Sequence, residues 1–484
     1  MEIKQLLLNE DVSAVITELK AGRNATEPNQ DLYEKQIDPL KHDVMNPVKR
    51  PDKKVKIDAS AGDDGNKVIT VTSTDSGEGF RIEPVARVAL SLQKLIVKRA
   101  VAFTFGNPVN LNSEPEDDNE KTVLKAVKRV LFDTKSRTLN RKVARAIFSS
   151  TEAAEYWYPV ESQNEKYGFK SRYKLRVAIF SPYLGDKLYP YFDETGDMIA
   201  FSRQFVRKDN AGVKYTYFET YTAEEHRMWI TTNSGWQLVE GYPKVNVIGK
   251  IPVIYGRQPA VEWEDVQGLI DRLEKLLSNF ADTNDYHASP KIFTTGEILG
   301  WAKKGESGAV IQGEEGSTAQ YLAWQNAPES VKLEIETLLR MIYTITQTPD
   351  ISFDSVKGIG SISGVALKLL FLDAHLKVQD KMEVFDDYLQ RRLSVIQSFL
   401  GYFNTSIKAA TESLTIEPEI VPFMIEDERA NVDLLVAANG GKPIISQKTS
   451  VAQLGWVNDT EAEYSLIQEE GAASAYTDIT EPTI

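Results

Sequence analysis

The side chains that could carry out chemistry in this chain are few and widely spaced. Cysteine is absent, which excludes thiol nucleophiles, disulfides and thiolate metal sites. The histidines form no H-x-x-H pair and no short cluster with Asp or Glu; they are His42, His226, His287 and His375. The Gly-x-Ser-x-Gly pattern of a serine nucleophile is also absent. We therefore expect no catalytic residues, no metal and no cofactor, and we do not expect an enzyme.

Two glycine-containing stretches partly match the patterns of phosphate-binding loops. Residues 440–443, Gly-Gly-Lys-Pro, fail the Walker pattern on both sides of the lysine. Gly358-x-Gly360 has Ser363 at the position of the third glycine in a dinucleotide-binding loop. It also follows a predicted loop, whereas that fingerprint follows a β-strand. Neither stretch predicts a nucleotide site.

Charge is distributed unevenly along the 484 residues, whose formal net charge is −14. A negative total argues against nonspecific coating of nucleic acid, which needs clustered Lys and Arg. Residues 81–150 hold 14 basic and 7 acidic side chains, a net of +7, whereas residues 417–484 hold 3 basic and 13 acidic, a net of −10. These regions are either ordinary solvated surface or complementary poles through which copies stack in a ring.

Length and hydropathy point to a globular protein of two or more domains. The hydrophobic fraction of 42% is enough to build a core. The chain shows no signal-peptide pattern and no run of about 18 apolar residues, so we expect no membrane span and no membrane partner.

The first half of the chain reads as helices followed by strands. Apolar spacing predicts a short amphipathic helix over 1–20 and a long helix over 84–105, and a basic amphipathic helix is expected through about Ser149. Residues 151–258 alternate aromatic or β-branched residues with polar ones between glycine-containing turns, which predicts an antiparallel β meander. The fold class is therefore mixed α+β.

The second half predicts three helices around two irregular segments. An apolar stripe defines a helix over 262–289, and a second helix is expected over 328–348. A small polar and glycine-rich unit, 290–327, separates them, and we expect strands near Lys291-Ile292-Phe293 and Ala309-Val310-Ile311-Gln312. A glycine- and serine-rich loop, 349–364, leads into a long helical pattern from 365 to about 410.

This order of elements resembles that of the phage portal proteins, in particular the siphophage-type, Gp6-like group. The resemblance runs from about residue 33 to about residue 404. Its most characteristic stretches are Lys250-Ile251-Pro252-Val253-Ile254-Tyr255, the segment Trp263-Glu264-Asp265-Val266-Gln267-Gly268-Leu269-Ile270-Asp271, and Ser363-Gly364-Val365-Ala366-Leu367-Lys368.

The resemblance implies a division of the chain into the parts of a portal subunit. By position, 1–261 correspond to the N-terminal region and wing, 262–289 to the first stem helix, and 290–327 to a small α/β clip. The second stem helix corresponds to 328–348, the tunnel loop to 349–364, and the long wing helix with its connection to 365–426. A helical crown and acidic tail correspond to 427–484.

The resemblance also implies a function and a set of partners. A portal is a ring, of twelve subunits in the family, at the unique capsid vertex of the virion, through which double-stranded DNA is packaged and ejected. It docks the terminase large subunit and later the head–tail adaptor or neck protein, and it assembles with scaffold and major capsid proteins in the host bacterial cytoplasm. The alternatives are another ring-forming virion protein, such as a neck adaptor, and a nucleic-acid-acting enzyme.

Residues expected to face DNA or partners follow from these positions. A channel must let a polyanion slide, so its walls should bind phosphate weakly. The stem helix 262–289 has 7 acidic and 2 basic residues, and its expected channel-lining acids are Glu264, Asp265, Asp271, Glu274 and Asp282. The expected DNA-facing loop residues are Ser352, Ser355, Lys357, Gly358, Gly360, Ser361 and Ser363. Clip contacts are expected at Lys303, Lys304 and Glu306, where a plain solvated turn is the alternative.

Overall fold

The structure is a computed structural model, and the part of the chain that it describes falls into two compact units. The described residues are 3–23, 27–56, 80–287, 292–295, 298–300, 312–313, 316, 318–321, 327–350, 371–423, 428–440, 443–457 and 460–478. The first unit comprises Met1–Asp350 with Asp373–Pro422, and the second comprises Ile351–Leu372 with Phe423–Ile484.

Short helices open the first unit. They are α1 (Ile3–Leu7), α2 (Val12–Ala21) and α3 (Gln30–Ile37), followed by the 3-10 turns Pro39–Lys41 and Asp43–Met45. The predicted single helix over 1–20 is thus two helices, because Asp11 caps a new one by accepting hydrogen bonds from the backbone N–H groups of Ser13 and Ala14. Strands β1 (Lys53–Lys56) and β2 (Phe80–Glu83) pair antiparallel.

The helical layer of the first unit consists of α4 (Leu92–Phe105), α5 (Asp118–Asp133) and α6 (Ser136–Ser150). The prediction of a helix from residue 84 was wrong for 84–91, a segment that includes Pro84 and is not helical. The basic helix predicted through Ser149 is two helices, since Lys135 adopts φ +55° between α5 and α6 and ends the regular repeat.

The predicted antiparallel meander is confirmed, and it is divided between two sheets. Strands β4 (Glu152–Asn164) and β5 (Ser171–Phe180) form a three-stranded sheet with β12 (Val253–Arg257), in the order β12-β4-β5. The other sheet has the order β10-β9-β8-β7-β6, and β11 also pairs with β9. Its strands are β6 (Lys187–Phe192), β7 (Met198–Lys208), β8 (Lys214–Tyr221), β9 (Glu225–Thr232), β10 (Gly235–Leu238) and β11 (Lys244–Val245).

The remaining elements of the first unit follow the predicted order. A 3-10 turn, Glu264–Val266, leads into α7 (Gln267–His287), and α8 (Ala327–Ile345) follows the glycine-rich unit. Within that unit, β13 (Ile292–Thr295) pairs with β16 (Thr318–Tyr321), and β14 (Ile298–Gly300) with β15 (Gln312–Gly313). The long helix α9 spans Leu372–Phe403; after a 3-10 turn come α10 (Lys408–Ser413) and β17 (Glu417–Glu419), which pairs with β3 (Asn110–Asn112).

One large apolar cluster joins the helical layer, the three-stranded sheet and the helices α7, α8 and α9. Trp157 on β4 and Trp263 before α7 are fully buried in it. At Gly256 on β12 a Cβ atom would lie 2.7 Å from Tyr388 Cδ2 of α9. Glycine therefore allows the sheet to approach the long helix closely.

The second unit is helical where it is described. Its helices are α11 (Glu428–Asn439), α12 (Gln447–Leu454) and α13 (Thr460–Asp478). Lys448 of α12 forms an ion pair with Glu461 of α13. Across the described parts of the chain, none of the helices combines the length and the apolar character that crossing a bilayer requires.

Candidate functional site

Helices α7 and α8 form a pair that packs through its apolar stripes. Ile270 and Leu273 of α7 and Ile342 of α8 are fully buried in the same cluster. At the solvent edge of the pair, Arg272 Nη2 lies 2.7 Å from Glu334 Oε1. The antiparallel β13–β16 pairing brings together the strand that follows α7 and the strand that precedes α8. This arrangement is the helix–insert–helix order read from the sequence.

A polar face of α7 runs along the helix opposite this stripe and contacts the N-terminal part of the chain. The face consists of residues spaced three or four apart, which a helix places on one side; they are Gln267, Asp271, Glu274, Ser278 and Asp282. Gln93 Nε2 donates to Gln267 Oε1 at 3.2 Å. The four other side chains bind segments 35–50 and 86–90, which together we call the N-terminal brace.

Segment 86–90 pairs with α7 through alternate backbone N–H groups. The bonds join Leu90 N–H to Glu274 Oε1 at 2.7 Å, Val88 N–H to Ser278 Oγ at 3.0 Å, and Ala86 N–H to Asp282 Oδ1 at 2.7 Å. Two residues of extended chain advance about 6.6 Å, and four residues of helix advance about 6 Å. These two distances are similar, so side chains four residues apart on one face of α7 can accept hydrogen bonds from alternate N–H groups of the segment.

Basic side chains of the brace neutralise the acids at both ends of this face. Lys35 Nζ lies 3.2 Å from Asp271 Oδ2 and 3.0 Å from Asp43 Oδ1. Arg50 donates from Nη2 to Asp282 Oδ2 at 2.8 Å and from Nη1 to Asn279 Oδ1 at 2.7 Å. Because Arg50 and Asp282 are mostly buried, this pair is less screened by solvent than an exposed one.

At the centre of the face, His42 and Glu274 form a buried pair. His42 Nδ1 lies 2.6 Å from Glu274 Oε1, and the side chains are 1% and 0% exposed. His42 Nε2 lies 2.7 Å from the carbonyl oxygen of Lys35. Burial by itself lowers the pKa of His42, but the hydrogen bond and charge of Glu274, the bond to Lys35 and the charge of Asp271 together raise it above its usual value. Contacts with a carboxylate and a carbonyl favour the imidazolium form, in which both ring nitrogens donate.

The predicted channel-lining acids divide into two groups in the structure. The prediction for Glu274 was wrong, because its carboxylate is buried against His42 and Leu90 N–H and cannot repel a duplex. Asp271 and Asp282 are paired with cations of the brace, so little of their charge is left for a channel wall. Glu264 and Asp265 are exposed, and for them the channel-lining role stays a prediction.

A second polar cluster, which we call the junction, links the start of α7, the end of α8 and the long helix α9. Glu262, with a side chain 3% exposed, lies 2.6 Å from both Lys377 Nζ and Lys381 Nζ. Lys377 Nζ also donates to the carbonyl oxygen of Thr346 at 2.9 Å. Burial works to raise the pKa of Glu262, but the charges and hydrogen bonds of the two lysines lower it below the usual range. The junction therefore holds an ionised carboxylate inside the fold.

The chain that leaves α8 is held at the first residue of the predicted tunnel loop. Arg99 of α4 donates to the carbonyl oxygen of Pro349 and lies 5.6 Å from the ring centre of Tyr343. The loop residues lie outside the described residues; they are Ser352, Ser355, Lys357, Gly358, Gly360, Ser361 and Ser363. Lys303, Lys304 and Glu306 of the expected clip also lie outside them. Their roles stay predictions.

Sequence reasoning missed the residues that position this site. Lys35, His42 and Arg50 lie in a polar, turn-rich stretch in which no periodicity signals a partner. No sequence pattern distinguishes Glu262 from Glu264, the exposed carboxylate on the other side of the fully buried Trp263. Within the described part of the chain, no group of three or more His, Asp or Glu is placed to hold a metal ion.

Fold and site together define a class: a mixed α+β structural subunit whose body holds a helix pair joined by a small β insert. A family model described as "Phage portal protein, SPP1 Gp6-like" matches residues 81–476. The chain therefore belongs to the phage portal protein family, and its function is that of a portal protein at the capsid vertex. The family is structural rather than enzymatic. The resemblance and the portal fold expected from the sequence are confirmed.

Solved structures similar to the chain include three from gene transfer agent (GTA) particles. "Neck of empty GTA particle computed with C6 symmetry" is 11% identical, with a TM-score of 0.43, and the match covers 75% of this chain and 89% of that one. "Virion of native gene transfer agent (GTA) particle" and "Neck of native GTA particle computed with C12 symmetry" are both 10% identical, with TM-scores of 0.38 and 0.40. Each of these two matches covers 75% of this chain and 88% of the chain in the solved structure. No curated protein matches the chain.

Proposed function

We propose that copies of this chain close into a ring of twelve and that double-stranded DNA passes through the axial channel during packaging and ejection. The observation that carries the proposal is the family match over 81–476, which begins within β2 and ends within α13. A ring forms when the same head-to-tail interface is repeated until the rotation closes. The junction and the brace suit this role, because a channel-forming helix pair must keep its position while a duplex moves past it.

Within the ring we assign α7 and α8 to the stem and residues 290–327 to the clip. The clip would dock the terminase large subunit during packaging and a head–tail adaptor afterwards, with Lys303, Lys304 and Glu306 as contact candidates. Residues 349–364 would form the tunnel loop, with the DNA-facing residues named above. Residues 1–261 would form the wing together with 365–426, and 427–484 the crown. Glu264 and Asp265 are the stem acids that remain available to repel the duplex.

The ring would assemble with scaffold and major capsid proteins in the bacterial cytoplasm and remain in the virion at the portal vertex. It would hydrolyse neither ATP nor nucleic acid, because the energy for packaging comes from the terminase. This division of labour fits a chain whose charged clusters are used to hold its own helices in place.

Microscopy of the purified protein tests the proposal. Negative-stain images should show a flanged ring with a narrow stem and an axial hole, and class averages should give the number of subunits. ATPase and nuclease assays on the same preparation should show no activity that a point substitution in this chain abolishes. A protein that stays monomeric under every condition, together with virions that lack it at the tail vertex, would refute the proposal.

A further inference from the structure

A groove of about 550 Å³ lies between helix α6 and strand β5 with the 3-10 turn Pro182–Leu184 that follows it. We call it the basic groove. One wall carries three cations. Lys142 and Arg145 are three residues apart and therefore lie on the same face of α6, and Lys135 directly precedes the helix. The other wall is apolar. The residues that matter below are Lys135, Lys142 and Arg145 on the first wall and Val177, Ile179 and Leu184 on the second.

The positive charge of the groove is not compensated within the described structure. Lys135, Lys142 and Arg145 are exposed, and the described lining of the groove contains no acidic residue. None of the three forms an ion pair with another described residue. Like charges one helical turn apart, as at Lys142 and Arg145, repel each other. In a chain with a net charge of −14, such a cluster is accounted for if an anionic group from outside occupies the groove.

The backbone conformation at the end of the groove also supports a binding site for an anionic group. Lys135 adopts φ +55°, a left-handed conformation that glycine or asparagine adopts more easily than lysine. The turn itself needs only a residue that tolerates this φ. A lysine at this position places a third cation on the groove at the expense of backbone strain.

The apolar wall indicates which kind of anion fits. Leu184 is 60% exposed and Tyr183 is 45% exposed, and the half-buried Val177 and Ile179 continue the same surface inward. DNA backbone presents phosphates and sugars, whereas an acidic peptide presents carboxylates beside apolar side chains. We propose that the basic groove is a docking site for an acidic polypeptide segment that carries apolar side chains, supplied by a partner protein. This inference depends on the groove alone and not on the proposed channel function.

Peptide binding to the full-length protein tests the proposal. The probe is a fluorescein-labelled peptide with the sequence of residues 460–478, which contains five acidic residues, no basic residue and the apolar Tyr464, Leu466 and Ile467. Its anisotropy should rise saturably with wild-type protein. A peptide with the five acids replaced by their amides, and one with the three apolar residues replaced by serine, should each bind at least tenfold more weakly.

Substitutions then locate the site. The variant K142E/R145E should bind the probe at least tenfold more weakly than the wild type. The control K125E/K128E makes the same charge change at the same spacing on exposed positions of α5, and it should stay within twofold. Lys135→Gly should weaken binding several-fold without lowering the melting temperature, because glycine relieves the left-handed strain.

Three results would overturn the inference. The first is that the probe peptide does not bind the wild type. The second is that K142E/R145E and K125E/K128E weaken peptide binding equally. The third is that a 20-base-pair DNA duplex displaces the peptide, binds more tightly than the peptide, and requires Lys142 and Arg145 for binding. The last result would assign the groove to nucleic-acid phosphate instead. Ring formation is observed separately by microscopy, so failure of the channel proposal and failure of this one are distinguishable.

Discussion

Replacing Glu262 by glutamine probes the junction with little change in side-chain shape. In the native fold one carboxylate faces two ammonium groups, at 2.6 Å each, and the side chains of Lys377 and Lys381 are 10% and 20% exposed. The amide removes the charge and leaves two mostly buried cations without their counter-ion. Breaking a buried pair from one side costs about 3–5 kcal/mol. Because Lys377 keeps the Thr346 carbonyl as an acceptor, we expect a loss near 3 kcal/mol for Glu262→Gln.

The matched control is Glu336→Gln on α8. Glu336 pairs with Lys332 at 3.8 Å, and the two side chains are 61% and 75% exposed. An exposed pair one helical turn apart contributes about 0.3–0.5 kcal/mol. The loss of stability in Glu336→Gln should therefore be about six to ten times smaller than the loss in Glu262→Gln.

Urea unfolding followed by tryptophan fluorescence measures both variants, since buried Trp263 directly follows Glu262. Protein concentration is held constant, because subunit association adds to the apparent stability. Lowering the pH gives a second readout. The lowered pKa of Glu262 means that its contribution is present above the unfolded pKa, about 4.3, and is lost as the pH falls through the folded pKa. If the two variants lose stability equally, or if the loss at Glu262 is below about 1 kcal/mol, the reasoning is refuted.

Two further predictions concern the brace and the close approach of β12 to α9. The raised pKa of His42 means that its pair with Glu274 stabilises the fold fully below pH about 6.5 and that this stabilisation is lost as the pH rises through the folded pKa. The denaturation midpoint of the wild type should therefore fall across this pH range, and the midpoint of His42→Gln should change less. Equal pH profiles for the two proteins would contradict the assignment. Gly256→Ala should destabilise by about 1–3 kcal/mol, since its Cβ would meet the Tyr388 ring at 2.7 Å. Gly268→Ala on α7 is the control, because its Cβ would have no neighbour within 4 Å; it should stabilise by about 0.5–1 kcal/mol. Chemical denaturation measures the free energy of unfolding of both variants. If Gly256→Ala and Gly268→Ala change it in the same direction, contact with Tyr388 is not the cause.

The order of elements could be predicted because it depends on local patterns. The apolar stripe that includes Ile270 and Leu273 requires a helix, and alternation of aromatic and polar residues requires strands, wherever the rest of the chain lies. Helix boundaries were less certain. The sequence around residues 84–91 is apolar enough to suggest a helix, but this segment satisfies its N–H groups with the side chains of a distant helix.

By itself, the sequence determined the mixed α+β class, the order of elements that resembles the portal family, and the excess of acidic residues over 262–289. Only the tertiary structure decided where those acids point. Glu274 faces His42, 232 positions earlier in the chain, and Glu262 faces lysines more than 100 positions later. The sequence alone does not show whether a carboxylate is solvated by water or paired with a buried cation. Its charge becomes available to DNA, or is used to hold a helix in place, according to which distant segment packs against it.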